Sequence, residues 1–231
     1  MTTPSERPAP GSDGGGLTFH ALYVAALRGG VGHGAEGWWL RYHDGACAPL
    51  AVARWLGPPD PADLALVARC AGPALDIGCG PGRLLAGLRR AGVPALGVDV
   101  VAEAVSLART RGAVVLRRSV FDRLPGEGRW SAALLADGNA GIGGDPVALL
   151  ARARTLLAPD GVVLVEVDPP GARTGPAGAR LEHDDGRASA WFPWGRLAVD
   201  GVSEAAKDAG LVVRELWAGG EGRWFAALVR G

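Results

Sequence analysis

The chain has 231 residues and a mass of 23.6 kDa, which suits one globular domain with an added segment and argues against two full domains. Apolar residues make up 48% of the sequence and charged residues 21%, so disorder along the whole chain is excluded. Lysine and arginine together number 24, as do aspartate and glutamate, and without a basic excess the protein is not expected to bind nucleic acid.

Cysteine usage and hydropathy indicate the compartment. Cys47, Cys70 and Cys79 include no Cys-x-x-Cys pair, which excludes a disulfide framework and a zinc ribbon. The amino-terminal stretch lacks the apolar core of a signal peptide, and no apolar run approaches the ~18 residues that cross a bilayer. We therefore expect a cytoplasmic protein with no membrane partner and no bound metal.

The first 50 residues predict a tail followed by a covering segment. Residues 1–16 are rich in Gly, Pro, Ser and Thr, and we expect them to be disordered. Over residues 17–28 apolar side chains recur at helical spacing, which predicts an amphipathic helix. Residues 37–45 are aromatic without a clean period and are interpreted as a loop or short helix. We assign residues 17–50 to a helical lid and residues 51–231 to the main domain.

The middle of the chain predicts a parallel sheet. After a helix that begins at Asp60, short apolar runs alternate with helical patterns, which is typical of βαβ units. Strands are predicted at residues 74–77, 95–98, 114–116, 132–135 and 162–167, with helices at 83–91, 102–111 and 146–157.

The carboxyl-terminal part has a different pattern. A helix over residues 201–209 precedes two strand-like runs, 211–217 and 223–229, joined by a glycine-rich turn. This pair predicts a hairpin that adds an antiparallel edge to the parallel sheet.

A glycine-rich loop follows the first of the predicted parallel strands. Asp76, Gly78, Gly80 and Gly82 stand in the order Asp-x-Gly-x-Gly-x-Gly, directly before a predicted helix. Closely spaced glycines let the backbone approach a ligand beside a helix N-terminus, so we expect a cofactor there. Asp99 ends the next strand, where a carboxylate can accept hydrogen bonds from both hydroxyls of a ribose.

Two cofactor classes use this layout, and the glycine spacing separates them. The dinucleotide fingerprint Gly-x-Gly-x-x-Gly, counted from Gly78, requires a third glycine where this chain has Arg83. A nicotinamide-dependent oxidoreductase therefore remains only as the alternative enzyme class. Asp76, inside the strand end, also argues against it.

Residues 76–82 together with Asp99 resemble motif I and the following acidic position of the class I S-adenosylmethionine-dependent methyltransferases. The match in order and spacing extends over residues 74–167. The resemblance implies a Rossmann-like, doubly wound α/β fold with a mostly parallel seven-stranded sheet and an antiparallel carboxyl-terminal hairpin strand. It also implies that S-adenosyl-L-methionine donates a methyl group to a small-molecule acceptor and leaves as S-adenosyl-L-homocysteine.

The resemblance assigns cofactor contacts by position, with the glycine loop at the methionine part and the acid at the ribose. Near the adenine, after the third strand, either Ser119 and Val120 or Phe121 and Asp122 fit. The residues assigned to the cofactor are Asp76, Gly78, Cys79, Gly80, Gly82, Asp99, Val100, Ser119, Val120 and Asp137.

The candidates for chemistry follow the fourth strand or lie in the lid. Asp137 and Asn139 are candidates for polar contacts at the transfer site, while Asp145 before a proline is better explained as a helix N-cap. Histidine suits a general base near neutral pH. His43, beside the aromatic run of the lid, is the first candidate for that base, and His33 is the second.

Two further segments leave alternatives open. Trp191, Phe192 and Trp194 form the wall of an apolar acceptor pocket or simply pack on the sheet. Residues 168–170, Asp-Pro-Pro, are similar to a signature of enzymes that methylate adenine in nucleic acids, but they follow the fifth strand and lack its aromatic residue. The competing functional hypothesis is a protein that binds S-adenosylmethionine without transferring its methyl group. The acceptor atom and the oligomeric state stay open.

Overall fold

The structure, a computed structural model, describes residues 17–30 and 36–231. The tail predicted for residues 1–16 and the candidate base His33 therefore lie outside the described residues. In the part of the chain that is described, no helix is long and apolar enough to cross a membrane.

The helices follow the predicted order, with a short additional one before Asp60. They are α1 (Phe19–Gly30), α2 (Val52–Leu56), α3 (Pro61–Val67), α4 (Arg83–Arg90), α5 (Ala102–Thr110), α6 (Pro146–Leu156) and α7 (Val202–Asp208). The strands are β1 (Trp38–Tyr42), β2 (Cys47–Pro49), β3 (Ala74–Ile77), β4 (Ala95–Asp99), β5 (Val115–Arg117), β6 (Trp130–Leu135), β7 (Leu157–Val167), β8 (Gly178–His183), β9 (Phe192–Pro193), β10 (Leu211–Ala218) and β11 (Trp224–Arg230).

Seven strands form the main sheet, in the order β10-β11-β7-β6-β3-β4-β5. β11 runs antiparallel to both of its neighbours, and the five strands from β7 to β5 are parallel. This arrangement confirms the predicted Rossmann-like fold with its antiparallel hairpin strand. The chain order reverses between β3 and β6, which is the crevice where ligands bind in open α/β sheets.

Apolar layers cover both faces of the main sheet, which explains why its central strands are continuous apolar runs. On one face Leu149 and Leu156 of α6 pack with α7, and on the other Leu66 of α3 packs with Leu88 of α4. Because the sheet is closed above and below, its open side is the carboxyl edge of the strands.

Capping side chains determine where two helices begin. Asp60 Oδ1 accepts a hydrogen bond from the Asp63 backbone N–H (2.8 Å), and Asp63 Oδ2 accepts from the Asp60 N–H (2.9 Å), forming a capping box before α3. Asp145 accepts from the second and third residues of α6. Both confirm the helix starts predicted from the sequence.

A second sheet, of four antiparallel strands in the order β2-β1-β8-β9, was not predicted. The interpretation of residues 37–45 as a loop or short helix was wrong, because residues 38–42 form β1. β1 pairs with β8 from Trp38 opposite His183 to Tyr42 opposite Ala179. The partner strand lies about 140 positions away in the sequence, so local periodicity alone gives no sign of it.

Candidate active site

A cavity of about 450 Å³ opens at the carboxyl ends of β3, β4 and β6, at the point where the strand order reverses. The glycine-rich loop forms its floor. Phe19, His20 and Tyr23 of α1 and the inner face of the second sheet line the opposite side. The segment interpreted as a lid thus supplies cavity walls from α1 and β1.

The first two glycines of the loop present bare backbone to the cavity. Gly78 has φ 69°, and a Cβ there would come within 2.7 Å of Asn139 Nδ2 and 2.8 Å of Ile142 Cδ1. Gly80 has φ 51°, and a Cβ there would lie 3.3 Å from the Tyr23 hydroxyl. A side chain at either position would be strained, and at Gly78 it would collide with two residues that line the cavity.

The third glycine has a packing function in the structure. Gly82 begins α4 with φ 84° and does not line the cavity. A Cβ at Gly82 would stand 3.0 Å from the Ala108 Cβ, so its absence allows α4 to approach α5. The contact between Gly82 and a cofactor that the resemblance implied is therefore not supported by this geometry.

Asp99 joins the glycine loop to the end of β4. Its Oδ2 accepts from the Gly80 N–H (2.9 Å) and its Oδ1 from the Val101 N–H (2.8 Å). Burial raises the pKa of Asp99 even though these N–H groups oppose the shift. Val100, beside it, lines the cavity and is 47% exposed.

Asp76 lies beneath the loop and is only 2% exposed. Its Oδ2 has no hydrogen-bond partner among the described residues. Burial, with the nearby carboxylates of Asp137 and Asp99, raises the pKa of Asp76 to about 8. Cys79 is also buried, and burial raises the pKa of its thiol.

The geometry separates the two sets of residues that fit after the third parallel strand. Ser119 and Val120 line the cavity, whereas Phe121 and Asp122 do not. Phe121 instead packs against the backbone of Gly143, where a Cβ would come within 2.7 Å of its ring. A ligand at the ends of β4 and β5 would therefore meet Ser119 and Val120.

Asp137, directly after β6, has a left-handed backbone (φ 56°) and belongs to a chain of charges. Its Oδ1 pairs with Arg54 at 3.0 Å and its Oδ2 with Arg83, while its N–H donates to Glu166 at 2.7 Å. Arg83 also pairs with Asp63, which has no exposed surface. The carboxylate of Asp137 is thereby held in place at the cavity edge.

Asn139 acts on the glycine loop. Its side-chain amide donates to the carbonyl oxygens of Ile77 and Gly78, each at 2.9 Å. The residue also lines the cavity. Its observed contacts support a positioning function, in which it fixes the end of β3 as the loop begins.

His43 lies away from the cavity. Side chains alternate along a strand, and Leu40 and Tyr42 of β1 line the cavity, so the residue after Tyr42 points to the opposite side. There the His43 ring is exposed and contacts Trp191, with 3.9 Å between ring centroids. Of the histidines that the structure describes, His20 is the one that lines the cavity.

The aromatic run before α7 divides between the two sides of the second sheet. Phe192 and Trp194 line the cavity, whereas Trp191 is exposed on the outer side. Phe192 lies 4.6 Å from Phe19 and 6.0 Å from Trp194, measured between ring centroids. These three rings form one continuous aromatic wall.

Three cavity residues were missed by the sequence analysis. Arg54 lies in the five-residue helix α2, and its buried Nε–H has no acceptor among the described residues. The indole N–H of the neighbouring Trp55 is also buried and has no acceptor among them. Tyr23 places its hydroxyl close to Gly80. A helix as short as α2 has no clear hydrophobic period, so the sequence gives little indication of it. The helical pattern of α1 did place Tyr23 on the apolar side of that helix.

The family comparison identifies residues 58–213 with a model described as a methyltransferase domain. That range contains the glycine loop, Asp99 and Asp137, and it excludes α1, β1, β2 and α2. No curated protein is detectably similar in sequence.

Several solved structures with the same architecture are described as methyltransferases, all at low sequence identity. A structure of an S-adenosylmethionine-dependent methyltransferase from Bacteroides fragilis, in complex with S-adenosyl-L-homocysteine, is 18% identical, with a TM-score of 0.73 over 94% of this chain and 98% of the other. The 1,6-didemethyltoxoflavin-N1-methyltransferase of Burkholderia thailandensis, with 1,6-didemethyltoxoflavin and S-adenosylhomocysteine bound, is also 18% identical, with a TM-score of 0.57 over 98% and 93%. The CcbJ methyltransferase of Streptomyces caelestis is 19% identical, with a TM-score of 0.59 over 77% and 92%. At these identities the likeness establishes the fold.

Proposed function

The chain belongs to the methyltransferase family whose model spans residues 58–213, and on that premise we propose that it methylates a small organic molecule. Its cofactor is S-adenosylmethionine, which supplies a methyl group activated on a positively charged sulfonium. The acceptor class and the residues named below are our proposal.

The chemistry of the cavity floor supports binding of a nucleoside that carries an amino-acid tail. Gly78 and Gly80 leave the backbone open for the tail, Asp99 offers a carboxylate at the end of β4 for ribose hydroxyls, and Ser119 with Val120 borders the base. The residues that we propose to hold the cofactor are Asp76, Gly78, Cys79, Gly80, Asp99, Val100, Ser119, Val120 and Asp137.

The observation that carries a small-molecule acceptor is the position of the cavity, between the glycine loop on one side and α1 with the second sheet on the other. At about 450 Å³, and roofed by α1 and the second sheet, it suits a cofactor and a compact acceptor side by side. A polymer would need an open groove at this edge. The absence of a basic excess in the sequence also argues against a nucleic-acid acceptor.

The contribution of the protein to methyl transfer is then chiefly alignment and exclusion of water. Alignment of reacting groups lowers the barrier by removing motional freedom before the reaction. The aromatic wall of Phe19, Phe192 and Trp194 keeps water from the acceptor side. Asn139 and the pair of Arg54 with Asp137 fix the floor beneath it. We do not assign a base function to His43, given its outward position.

The test is incubation of the purified protein with S-adenosylmethionine labelled in the methyl group and a cell extract separated into small molecules, protein and nucleic acid. We expect label in a small molecule, identified by mass, and about tenfold less label when the Asp99→Ala variant is used at a cofactor concentration below the wild-type dissociation constant. Label confined to a macromolecular fraction would contradict the acceptor class. Binding of S-adenosylhomocysteine without any product would favour the non-catalytic alternative.

A further inference from the structure

Two of the carboxylates that line the cavity, Asp76 and Asp168, have an oxygen without a hydrogen bond among the described residues, and only that of Asp168 is on a partly exposed side chain. Asp76 is enclosed beneath the glycine loop. Asp99, Asp137 and Glu166 have both oxygens occupied, Asp99 by backbone N–H groups and the other two by arginines. Asp168, at the end of β7, accepts one hydrogen bond through Oδ2, and in the described part of the chain its Oδ1 accepts none. Its side chain is 35% exposed, so this oxygen is open to a ligand.

The surroundings of Asp168 hold its carboxylate in a fixed position near Tyr42. Arg196 Nε donates to Asp168 Oδ2 at 3.1 Å, and the same guanidinium lies 4.6 Å from the centre of the Tyr42 ring. The backbone N–H of Asp168 donates to the Leu197 carbonyl at 2.7 Å, which fixes the end of the strand. Asp168 is therefore an anchored acid beside Tyr42.

Tyr42 connects this acid to the aromatic wall through the second sheet. Tyr42 stands opposite Ala179, and Ala179 stands opposite Phe192, so the three residues form one row across β1, β8 and β9. Side chains of such a row point to the same face, and Tyr42 and Phe192 both line the cavity. A flat ligand on this face of the second sheet would therefore contact aromatic rings of the protein along its length and the carboxylate of Asp168 at one end.

We propose that the acceptor is an amine carried on a flat aromatic body, with the amine at Asp168 and the ring against Tyr42, Phe192 and Trp194. This inference rests on the proposed small-molecule function and names its substrate class. An ammonium can bind the open Oδ1 of Asp168, whereas the carboxylate of an acidic acceptor placed at the same oxygen would be repelled. Aromatic walls favour flat rings by stacking and edge contacts.

The amine must lose a proton before its lone pair is available for methylation. Asp168 accepts that proton: the N–H bond breaks, an O–H bond forms on Oδ1, and the electron pair remains on nitrogen. Burial raises the pKa of Asp168, while Arg196 opposes the shift, so the carboxyl holds a proton more readily than an exposed aspartate. The proton then leaves to solvent through the exposed side of the carboxylate.

Calorimetry with three probes of the same indole body tests the substrate class without turnover. Tryptamine, indole-3-ethanol and indole-3-acetate are titrated into the full chain saturated with S-adenosylhomocysteine. We expect tryptamine to bind at least tenfold more tightly than the alcohol, with the acetate weakest, because a hydrogen bond to a charged group is worth about that factor. Equal or tighter binding of the acetate, or no binding of tryptamine at millimolar concentration, would overturn the proposal.

Substitutions then assign the preference to Asp168. Asp168→Asn keeps an oxygen for Arg196 and should reduce tryptamine affinity at least tenfold, leaving the alcohol unchanged, while the exposed Asp208→Asn control changes neither. Unchanged S-adenosylhomocysteine affinity and melting temperature show that the variant is folded and that the cofactor site is intact. If S-adenosylhomocysteine fails to bind the wild-type chain, the proposed function itself is wrong. If it binds and Asp168→Asn retains the tryptamine preference, only the function of Asp168 is overturned.

Discussion

At the scale of single residues, the acids of the cavity have different tasks because their partners differ. Asp99 accepts hydrogen bonds from backbone N–H groups, and Asp137 pairs with arginines. The Oδ2 of Asp76 has no hydrogen-bond partner among the described residues. Identical carboxyl groups therefore make different contacts in the same cavity. Two predictions separate their contributions.

Removal of the Asp99 side chain should weaken binding of the cofactor without unfolding the protein. A hydrogen bond to a charged group contributes ~1.5 to 3 kcal/mol, so Asp99→Ala should lower S-adenosylhomocysteine affinity about tenfold or more. Isothermal titration of the variant measures this, with the exposed Asp160→Ala as the control. Wild-type affinity in Asp99→Ala would remove Asp99 from the cofactor site.

The buried Asp76 should make stability depend on pH. The pKa of Asp76 is about 8 in the folded chain and ~3.9 in an unfolded one, so between these values only the folded state holds the proton. Its stabilising contribution is present in full below pH ~4 and is lost as pH rises through about 8, by up to ~1.4 kcal/mol per pH unit.

Urea unfolding at pH 5.5 and 7.5 measures that loss. Asp76→Asn, which cannot ionise, should show a flatter change between the two pH values than the wild type. The comparison removes the contribution of every other titrating group that the two chains share. Parallel pH profiles for wild type and variant would show that Asp76 is ionised in the folded protein.

At the scale of elements, sequence predicted the βαβ region well and the roof of the cavity poorly. β3, β4 and α4 follow from apolar runs and turns that lie within a few residues of one another. The second sheet depends on the pairing of β1 with β8, and the direction of His43 depends on that pairing. The packing function of Gly82 likewise requires knowing that α5 lies against α4. Local patterns carry none of this information.

α1 should respond to the cofactor, because Phe19, His20 and Tyr23 line the same cavity. Hydrogen exchange followed by mass spectrometry should show slower exchange of α1 amides when S-adenosylhomocysteine is added, since a ligand below the helix opposes its opening. Helix α7, which packs beneath the main sheet and does not line the cavity, is the internal reference. Equal changes in α1 and α7 would argue against a roof formed by α1.

The charge cluster at the rear of the cavity joins elements that are far apart in sequence. Arg223, at the start of β11, pairs with Glu166 of β7 and with Asp60 and Asp63 at α3. Its side chain is 5% exposed, and burial lowers the pKa of Arg223 less than Glu166, Asp137 and Asp60 together raise it. Removing one member leaves buried charges without a counterion.

Arg223→Met should therefore destabilise the fold by about 3 to 5 kcal/mol. Chemical denaturation gives the value, and Arg28→Met, which removes an exposed pair with Glu103, should leave the unfolding midpoint unchanged. Similar effects of the two substitutions would mean that the buried cluster contributes no more than a surface pair.

At the scale of the whole molecule, the cavity is built from two sets of segments. The floor comes from the range that matches the methyltransferase family, whereas α1, β1, β2 and α2 lie outside it. The floor could be predicted from sequence because its motif is shared within the family. Of the residues that we connect with the acceptor, Tyr42 lies outside that range, whereas Asp168, Phe192 and Trp194 lie within it.

Ligand binding should stabilise the whole fold. At 100 times its dissociation constant S-adenosylhomocysteine adds ~2.7 kcal/mol. For a chain of this length such a gain raises the melting temperature by roughly 5 to 10 °C. Thermal melting with the nucleotide NAD as the comparison measures the shift. A rise with NAD and none with S-adenosylhomocysteine would support the oxidoreductase alternative.

The pairing of β1 with β8 also determines the order in which the molecule can be completed during synthesis. Arg41 and Glu182 are 141 positions apart, so at about 5 to 20 residues per second β1 waits roughly 7 to 28 s for its partner strand. Over that interval β3, β4 and β5 have already emerged from the ribosome. The nascent chain can therefore form the floor that receives the cofactor before it has a roof to enclose an acceptor.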